Sequence, residues 1–270
     1  MPIHSLKPLP ALNSPELLLS FDFDGTLANP DEHPPVTAEF FEAMRSMRLS
    51  HNTYWGINTG RTLMFALEGI AEAQFPFFPD YIIAREREIY TPNELGRWVP
   101  LLDWNNRCTK DHRKLFKRSH CFLEETQRWV EDETGAVWGM QEEEPAGIVA
   151  STVAEMDWIV LRLDEALTRY PELSYQRNGI YLRFSHQDYH KGTAMAEVAR
   201  SIGLGASDSF TIGDSHNDLD MLDLQYAARL ACPGNACDEV VRRVRESGGY
   251  VAKNLASHGT VEALKNVFSL

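Results

Sequence analysis

Leu17-Leu18-Leu19-Ser20-Phe21 is an almost unbroken apolar run that halts at two aspartates, Asp22 and Asp24, and turns at Gly25-Thr26. It is short, lacks polar alternation and ends in a turn, so it reads as a strand buried on both faces, as in parallel sheets. Open α/β sheets hold their ligands beyond the carboxyl ends of the strands. Asp22 and Asp24, two residues apart, leave the strand on the same side and repel each other unless a cation or a proton intervenes. The run predicts an α/β fold with metal-assisted chemistry at Asp22.

The flanking chain supplies the rest of such a sheet. Residues 36–49 carry apolar side chains at helical spacing behind Pro34-Pro35, and 54–57 form a strand that stops at Asn58-Thr59-Gly60-Arg61. A helix over 62–73 and a strand over 81–84 follow. Strand, helix, strand, helix, strand with right-handed crossovers predicts a doubly wound parallel sheet. From about 88 to 186 the rhythm changes to long polar helical patterns at 111–133 and 152–169, mixed with short strands at 135–138 and 180–184. Asn178-Gly179, between apolar runs, is a hairpin signal. After Lys191 the first rhythm returns, with a helix at 192–202, strands at 210–212 and 228–231, and helices near 237–246 and 259–267. The expected organisation is a core of 1–87 and 187–270, interrupted by an antiparallel α+β domain of 88–186.

Composition narrows the function classes. With 43% hydrophobic and 24% charged residues the chain is an ordinary globular one. No window approaches the ~18 consecutive apolar residues of a membrane helix. The first 16 residues read as a Pro-rich arm, tied down by little and without a leader sequence, so the cytoplasm is the expected compartment. Four cysteines with no C-x-x-C pair argue against a disulfide scaffold and against structural zinc as the expected reading. A formal charge of -13 disfavours nucleic acid and anionic membrane as general partners. Nothing in the sequence sets the oligomeric state.

Three predicted strands end in polar clusters: Asp22/Asp24, Thr59, and Asp214/Asp218. In one parallel sheet these ends meet on one edge. Converging carboxylates make a hard-oxygen site suited to Mg²⁺, with waters and a substrate phosphate completing the octahedron. Thr59 adds a hydroxyl and Lys191 a point charge suited to phosphate. A single DxD after a strand is as often a solvated turn; several matching clusters in order are not.

FDFDGTL, NTGR, the Lys191 segment HKGTAM, and GDSHNDLDML resemble the four motifs of the haloacid dehalogenase-like hydrolases, in the same order. The long gap between Thr59 and Lys191, against the short one between Asp22 and Thr59, resembles the C2-capped, Cof-type (class IIB) sugar-phosphatase branch. PGNACDEVV and HGTVEALKNV near the end support that branch. The resemblance implies a Rossmann-like core with a mobile α+β cap, and a Mg²⁺-dependent phosphatase of a small phosphorylated metabolite, a sugar phosphate above all. It implies Asp22 as the nucleophile that forms an aspartyl-phosphate and Asp24 as general acid and base. Thr59, Gly60, Lys191 and Asn217 would hold the phosphoryl group, and Asp22, the Asp24 carbonyl, Asp214 and Asp218 the metal.

The chain departs from that family where relatives usually carry an Asn-Gly loop, reading Arg85-Glu86-Arg87-Glu88. Arg61, Arg85 and Arg87 are the candidates for substrate specificity, and the fork of Arg85 or Arg87 could receive an anionic group. A solvated, self-compensating charge run is the alternative for 85–88. The basic cluster Arg107, Lys110, Arg113, Lys114, Lys117 and Arg118 has acidic neighbours and helical spacing, which favours a solvated cap face over a nucleic-acid patch. His216 reads as exposed or supporting, His186 and His190 as structural, and Trp98, Trp104, Trp129, Trp138 and Trp158 as core of the insertion. A phosphotransferase or mutase using the same aspartyl-phosphate, and a non-catalytic metabolite-binding or regulatory protein on the same fold, are the competing readings.

Overall fold

The apolar run is the strand β1 (Leu17–Phe21), buried at every position. In the computed structural model, which describes all residues except 1–5, 11–13 and 142–143, it is followed by α1 (Ala38–His51), β2 (Thr53–Asn58), α2 (Leu63–Glu72) and β3 (Tyr81–Ala84). Next come β4 (Glu88–Pro92), β5 (Trp98–Pro100), α3 (Leu102–Arg118), α4 (His120–Glu133), β6 (Val137–Gln141), β7 (Glu144–Val149), α5 (Val153–Leu167), β8 (Leu173–Asn178) and β9 (Tyr181–His186). The chain closes with α6 (Lys191–Ser201), β10 (Ser209–Ile212), β11 (Arg229–Cys232), α7 (Asp238–Glu246), β12 (Tyr250–Val251) and α8 (Ala256–Phe268).

The first sheet runs β12-β11-β10-β1-β2-β3-β4-β5, with β1 in the interior. From β12 to β3 every pairing is parallel, as predicted; β4 and β5 then extend the sheet in antiparallel fashion. Register fixes the site: Phe21 lies opposite Ile212 on one side and Ile57 on the other, so Asp22, Gly213 and Asn58 leave the sheet at one level. The core is aromatic, with Phe21 edge-on to Phe40 at 5.3 Å and to Trp55 at 6.2 Å. Such pairs bury large areas in rings that lose little rotamer freedom. Local chemistry sets the helix limits: the Thr62 hydroxyl accepts the Phe65 N–H at 3.2 Å to start α2, and Asn52 ends α1 in the left-handed region at φ 42.

The second sheet is antiparallel, ordered β6-β7-β9-β8, with a core that includes Phe122, Ile148, Met156, Ile159, Leu182 and Phe184. Asn178 and Tyr181 are opposed across the expected β8–β9 hairpin, and Gly179 takes φ +56 there.

The chain divides into two compact units, Met1–Asn105 with Lys191–Leu270, and Asn106–His190. The expected boundary at 88 is therefore too early, because β4 and β5 find their hydrogen-bond partners on β3 and belong to the first sheet. Trp98 and Trp104 move with them: Trp98 packs edge-on to Phe78 at 5.4 Å, and buried Trp104 donates its indole N–H to the Arg87 carbonyl at 2.6 Å. Trp129 and Trp138 do pack on the second unit's core, whereas Trp158 is exposed. The single helical pattern expected over 111–133 is two helices separated at Ser119. Part of the N-terminal arm is tied down, with Leu6 buried and the Phe78 N–H donated to the Lys7 carbonyl at 3.0 Å. Residues 1–5 and 11–13 of that arm lie outside the described residues. Among the described residues no helix is long and apolar enough to cross a membrane.

Candidate active site

Each of the three central strands delivers one wall of the site. At the end of β1 the chain reverses at once: Leu27 and Ala28 both donate N–H to the Phe23 carbonyl, at 3.0 and 2.7 Å. Gly25 turns the corner at φ +79, and a Cβ there would stand 2.5 Å from Asp214 Oδ2. At the end of β10, Gly213 is equally constrained, since its Cβ would meet Asp218 Cγ at 2.4 Å. A 3₁₀ turn, His216–Asp218, folds Asp218 back so that its Oδ2 accepts the N–H groups of Asp214 and Ser215, both at 2.9 Å.

Lys191, the first residue of α6, is fully buried between two carboxylates: its Nζ lies 2.5 Å from Asp22 Oδ1 and 2.6 Å from Asp218 Oδ1. Burial alone would push its pKa down, but Asp218, Asp22 and Glu86 outweigh burial and hold the ammonium protonated. Asp22 is driven the other way. Burial first, then Asp218, lifts its carboxyl well above the ordinary range despite Lys191. Burial and Asp218 likewise push Asp214 up to about 7.

Carboxylate oxygens of Asp22, Asp214 and Asp218 lie within 4.8 Å of one another. One lysine sets a single positive charge against three carboxylates, and the donors are all hard oxygens. The set fits a divalent cation of the Mg²⁺ type. Asp214 is pre-positioned by the Thr26 hydroxyl, which donates to Oδ1 at 2.8 Å. Asn235 donates to the Gly25 carbonyl at 2.8 Å and reaches Asp214 Oδ2 at 3.5 Å. Both oxygens of Asp218 are engaged, by Lys191 and by two backbone N–H groups, so its geometry suits orienting the site through a water or a neighbour.

Asp24 stands on the exposed side, clamped by Arg61 through two parallel hydrogen bonds of 2.8 and 2.6 Å. The guanidinium lies over the Phe23 ring at 4.9 Å and donates to the Phe65 carbonyl. Beside this pair opens a cleft of about 660 Å³, also lined by Gly25, His33 and Glu72, a volume in the range of small-ligand sites.

Thr59 is buried, its hydroxyl accepting the Arg61 N–H at 3.2 Å, and Gly60 follows it. Asn217 donates its amide to Glu86 Oε1 at 2.8 Å, both side chains being buried. Of the expected specificity residues, Arg61 therefore holds Asp24. Arg85 lies 3.6 Å from Glu88, and buried Arg87 donates to the Arg85 carbonyl at 3.4 Å. Arg85 and Glu86 occupy the left-handed region, φ 49 and 65, where Asn and Gly are at ease and other residues cost about 1–2 kcal/mol each. Their N–H groups are donated to the Arg61 and Thr59 carbonyls, at 2.8 and 2.9 Å, which holds that backbone.

Sequence reasoning missed four supporting residues. Thr26 and Asn235 sit inside segments already singled out, and Asn58, one residue before Thr59, donates to the Lys191 carbonyl at 3.0 Å. Glu86 had a weaker signal, since its inward direction follows from the unusual backbone at 85–86.

Residues 137–264 match the haloacid dehalogenase-like hydrolase family. A phosphoglycolate phosphatase of Methanoculleus marisnigri is 36% identical over 78 residues, which is 29% of this chain and only 31% of that relative's length. The sucrose-phosphatase of Synechocystis, solved with sucrose and phosphate, superposes with a TM-score of 0.70 at 19% identity, covering 93% of this chain and 98% of the other. A sugar phosphatase of haloacid dehalogenase subclass IIB gives 0.62 at 17%, covering 94% and 100%. Residues 137–264, just under half of the chain, thus match the haloacid dehalogenase-like hydrolases, and the fold is the one these phosphatase structures share.

Proposed function

We propose that this chain is a cytoplasmic, Mg²⁺-dependent phosphatase that hydrolyses a small phosphorylated metabolite, a sugar phosphate first, through an aspartyl-phosphate on Asp22. The observation that carries the reading is the buried Lys191 ammonium between Asp22 and Asp218, with Asp214 alongside. That arrangement gathers positive charge where a phosphoryl group loads onto a carboxylate, and positioning and neutralisation dominate phosphoryl transfer. Two structural neighbours, a sucrose-phosphatase and a sugar phosphatase, support the substrate class.

In this reading Lys191 holds Asp22 Oδ1 and leaves the other carboxylate oxygen to attack phosphorus. The new bond joins Asp22 to phosphorus while the ester P–O bond breaks, and Asp24, which takes up a proton from solvent once one of its two Arg61 hydrogen bonds is released, gives that proton to the departing alcohol. Water then attacks the same phosphorus, Asp24 takes a proton back, and inorganic phosphate leaves. Thr59, the Gly60 amide and Asn217 hold phosphoryl oxygens, and Arg61 fixes the plane of the Asp24 carboxylate between the two steps. Asp22, the Asp24 carbonyl and Asp214 would hold Mg²⁺, with Asp218 acting directly or through a water; when bound, it supplies charge neutralisation to the phosphoryl group.

The test is phosphate release across hexose phosphates, disaccharide phosphates, phosphorylated acids and nucleotides, with and without Mg²⁺. Strong metal-dependent release from the sugar phosphates is expected. Release confined to phosphorylated acids would replace the sugar class. Silence on the whole panel from folded, Mg²⁺-binding protein would overturn the hydrolase reading in favour of a transferase awaiting its acceptor or a binding protein.

Gly25→Ala probes the positioning of Asp214. A methyl group 2.5 Å from Oδ2, on a residue at φ +79, has to displace that carboxylate. Misplacement by about 1 Å costs on the order of 10²-fold in rate. We expect a loss of that size with a weakened Mg²⁺ requirement curve and an intact far-ultraviolet spectrum; unchanged turnover would show that Asp214 is not held from this side.

A further inference from the structure

The fold brings His216 beside two side chains from a later stretch of the chain, Cys237 and Glu239. His216 lies on the 3₁₀ turn after β10, Cys237 is the residue preceding α7, and Glu239 is in the first turn of α7. One ligand atom from each lies within 4.8 Å of the other two, and His216 Nε2 is 3.6 Å from Glu239 Oε2. Ligands ~2.0–2.3 Å from a tetrahedral Zn²⁺ lie roughly 3.3–3.8 Å from one another. The His–Glu edge already has that length, and neither edge to Cys237 exceeds 4.8 Å.

We propose that His216, Cys237 and Glu239 form a metal site for a borderline transition cation of the Zn²⁺ class, separate from the all-oxygen cluster at Asp22. One nitrogen, one sulfur and one oxygen donor match Zn²⁺ or Co²⁺ and are a poor set for Mg²⁺, which takes oxygen. His216 and Glu239 are part-exposed, at 23% and 48%, which leaves an approach and a fourth position for water. The loop is braced, since the Cys237 N–H is donated to the Asp214 carbonyl at 2.9 Å. On binding, the metal–sulfur bond replaces the S–H bond of Cys237, whose proton passes to solvent, and His216 ligates as the neutral imidazole. His216 and the Cys237–Glu239 pair come from two elements joined only by the fold, so no local motif in the sequence marks the site.

Titration of the metal-free, reduced protein with cobalt chloride decides the matter. Thiolate-to-cobalt charge transfer reports sulfur ligation, and the Asp22 cluster has no sulfur to contribute. The expected result is a charge-transfer band that corresponds to one sulfur-ligated Co²⁺ per chain, whatever cobalt the all-oxygen cluster also takes up, and that Zn²⁺ competes away. Cys237→Ser removes the band, and His216→Ala or Glu239→Gln weakens binding beyond the roughly 10–100-fold lost with a residue that merely supports a ligand. Cys121→Ser, at an exposed thiol elsewhere, leaves the titration unchanged. No band in the wild type, or a band that survives Cys237→Ser, overturns the proposal. Melting of each metal-free variant checks its fold, and half-exposed Glu239→Gln decides alone if Cys237→Ser does not fold.

Discussion

Asp22→Asn is expected to lose phosphate release by about 10⁴-fold or more, the scale on which enzymes with covalent intermediates lose their nucleophile. An amide keeps the shape of the side chain and the neighbourhood of Lys191 but cannot form the acyl phosphate. The same substitution is expected to leave the fold intact. Burial and Asp218 hold the Asp22 carboxyl well above its ordinary range, so its charged form is already unfavourable in the folded protein. Replacing it with a neutral group removes a repulsion with Asp214 and Asp218 at the expense of one contact to Lys191. Melting without Mg²⁺ should therefore match or exceed the wild type. A variant retaining more than about a hundredth of wild-type turnover would contradict the covalent route, since positioning losses of that size arise without it.

Lys191→Met is the second large effect, and it falls on stability as well as turnover. Removing the ammonium leaves Asp22 and Asp218 buried without their partner, and breaking a buried ion pair from one side costs about 3–5 kcal/mol. The cost depends on pH with a definite sign. Asp214 takes up a proton as pH falls through about 7, which relieves the cluster, so the destabilisation is smaller in acid and grows as pH rises past that value. Urea denaturation at pH 6 and pH 8, with and without Mg²⁺, checks this. Mg²⁺ is expected to restore part of the loss by supplying positive charge to the same carboxylates. Lys191→Arg is not expected to rescue, because the side chain is completely enclosed and a planar fork does not fit the space of a compact ammonium. Stability equal to the wild type at pH 8 without metal would mean that Lys191 does not neutralise the cluster.

Much of the molecule was legible in the chain because its signals are local. The buried strand β1, the helical stripes of α1 and α5, and the returning rhythm after Lys191 each sit within one stretch of sequence. The strands β4 and β5 were not legible: β4 opens on Glu88 and ends on Pro92, β5 has three residues, and both are made strands by the edge that β3 offers. The carboxylates of the site announced themselves by standing at strand ends. Glu86 did not, because the two arginines around it dominate the pattern and only a left-handed backbone turns it toward Asn217.

The position of Lys191 has a consequence for how such proteins diversify. It is the residue at which the chain re-enters the first unit, and its carbonyl is held by the Asn58 amide from the neighbouring end of β2. Its backbone is thereby anchored to the sheet, independently of what precedes it. A splice point built this way is expected to tolerate exchange of the segment between Asn105 and Lys191 while the lysine stays in place. New specificities can then be grafted onto an unchanged reaction centre, and chimeras joined at residues 105 and 191 are the natural form in which to engineer them.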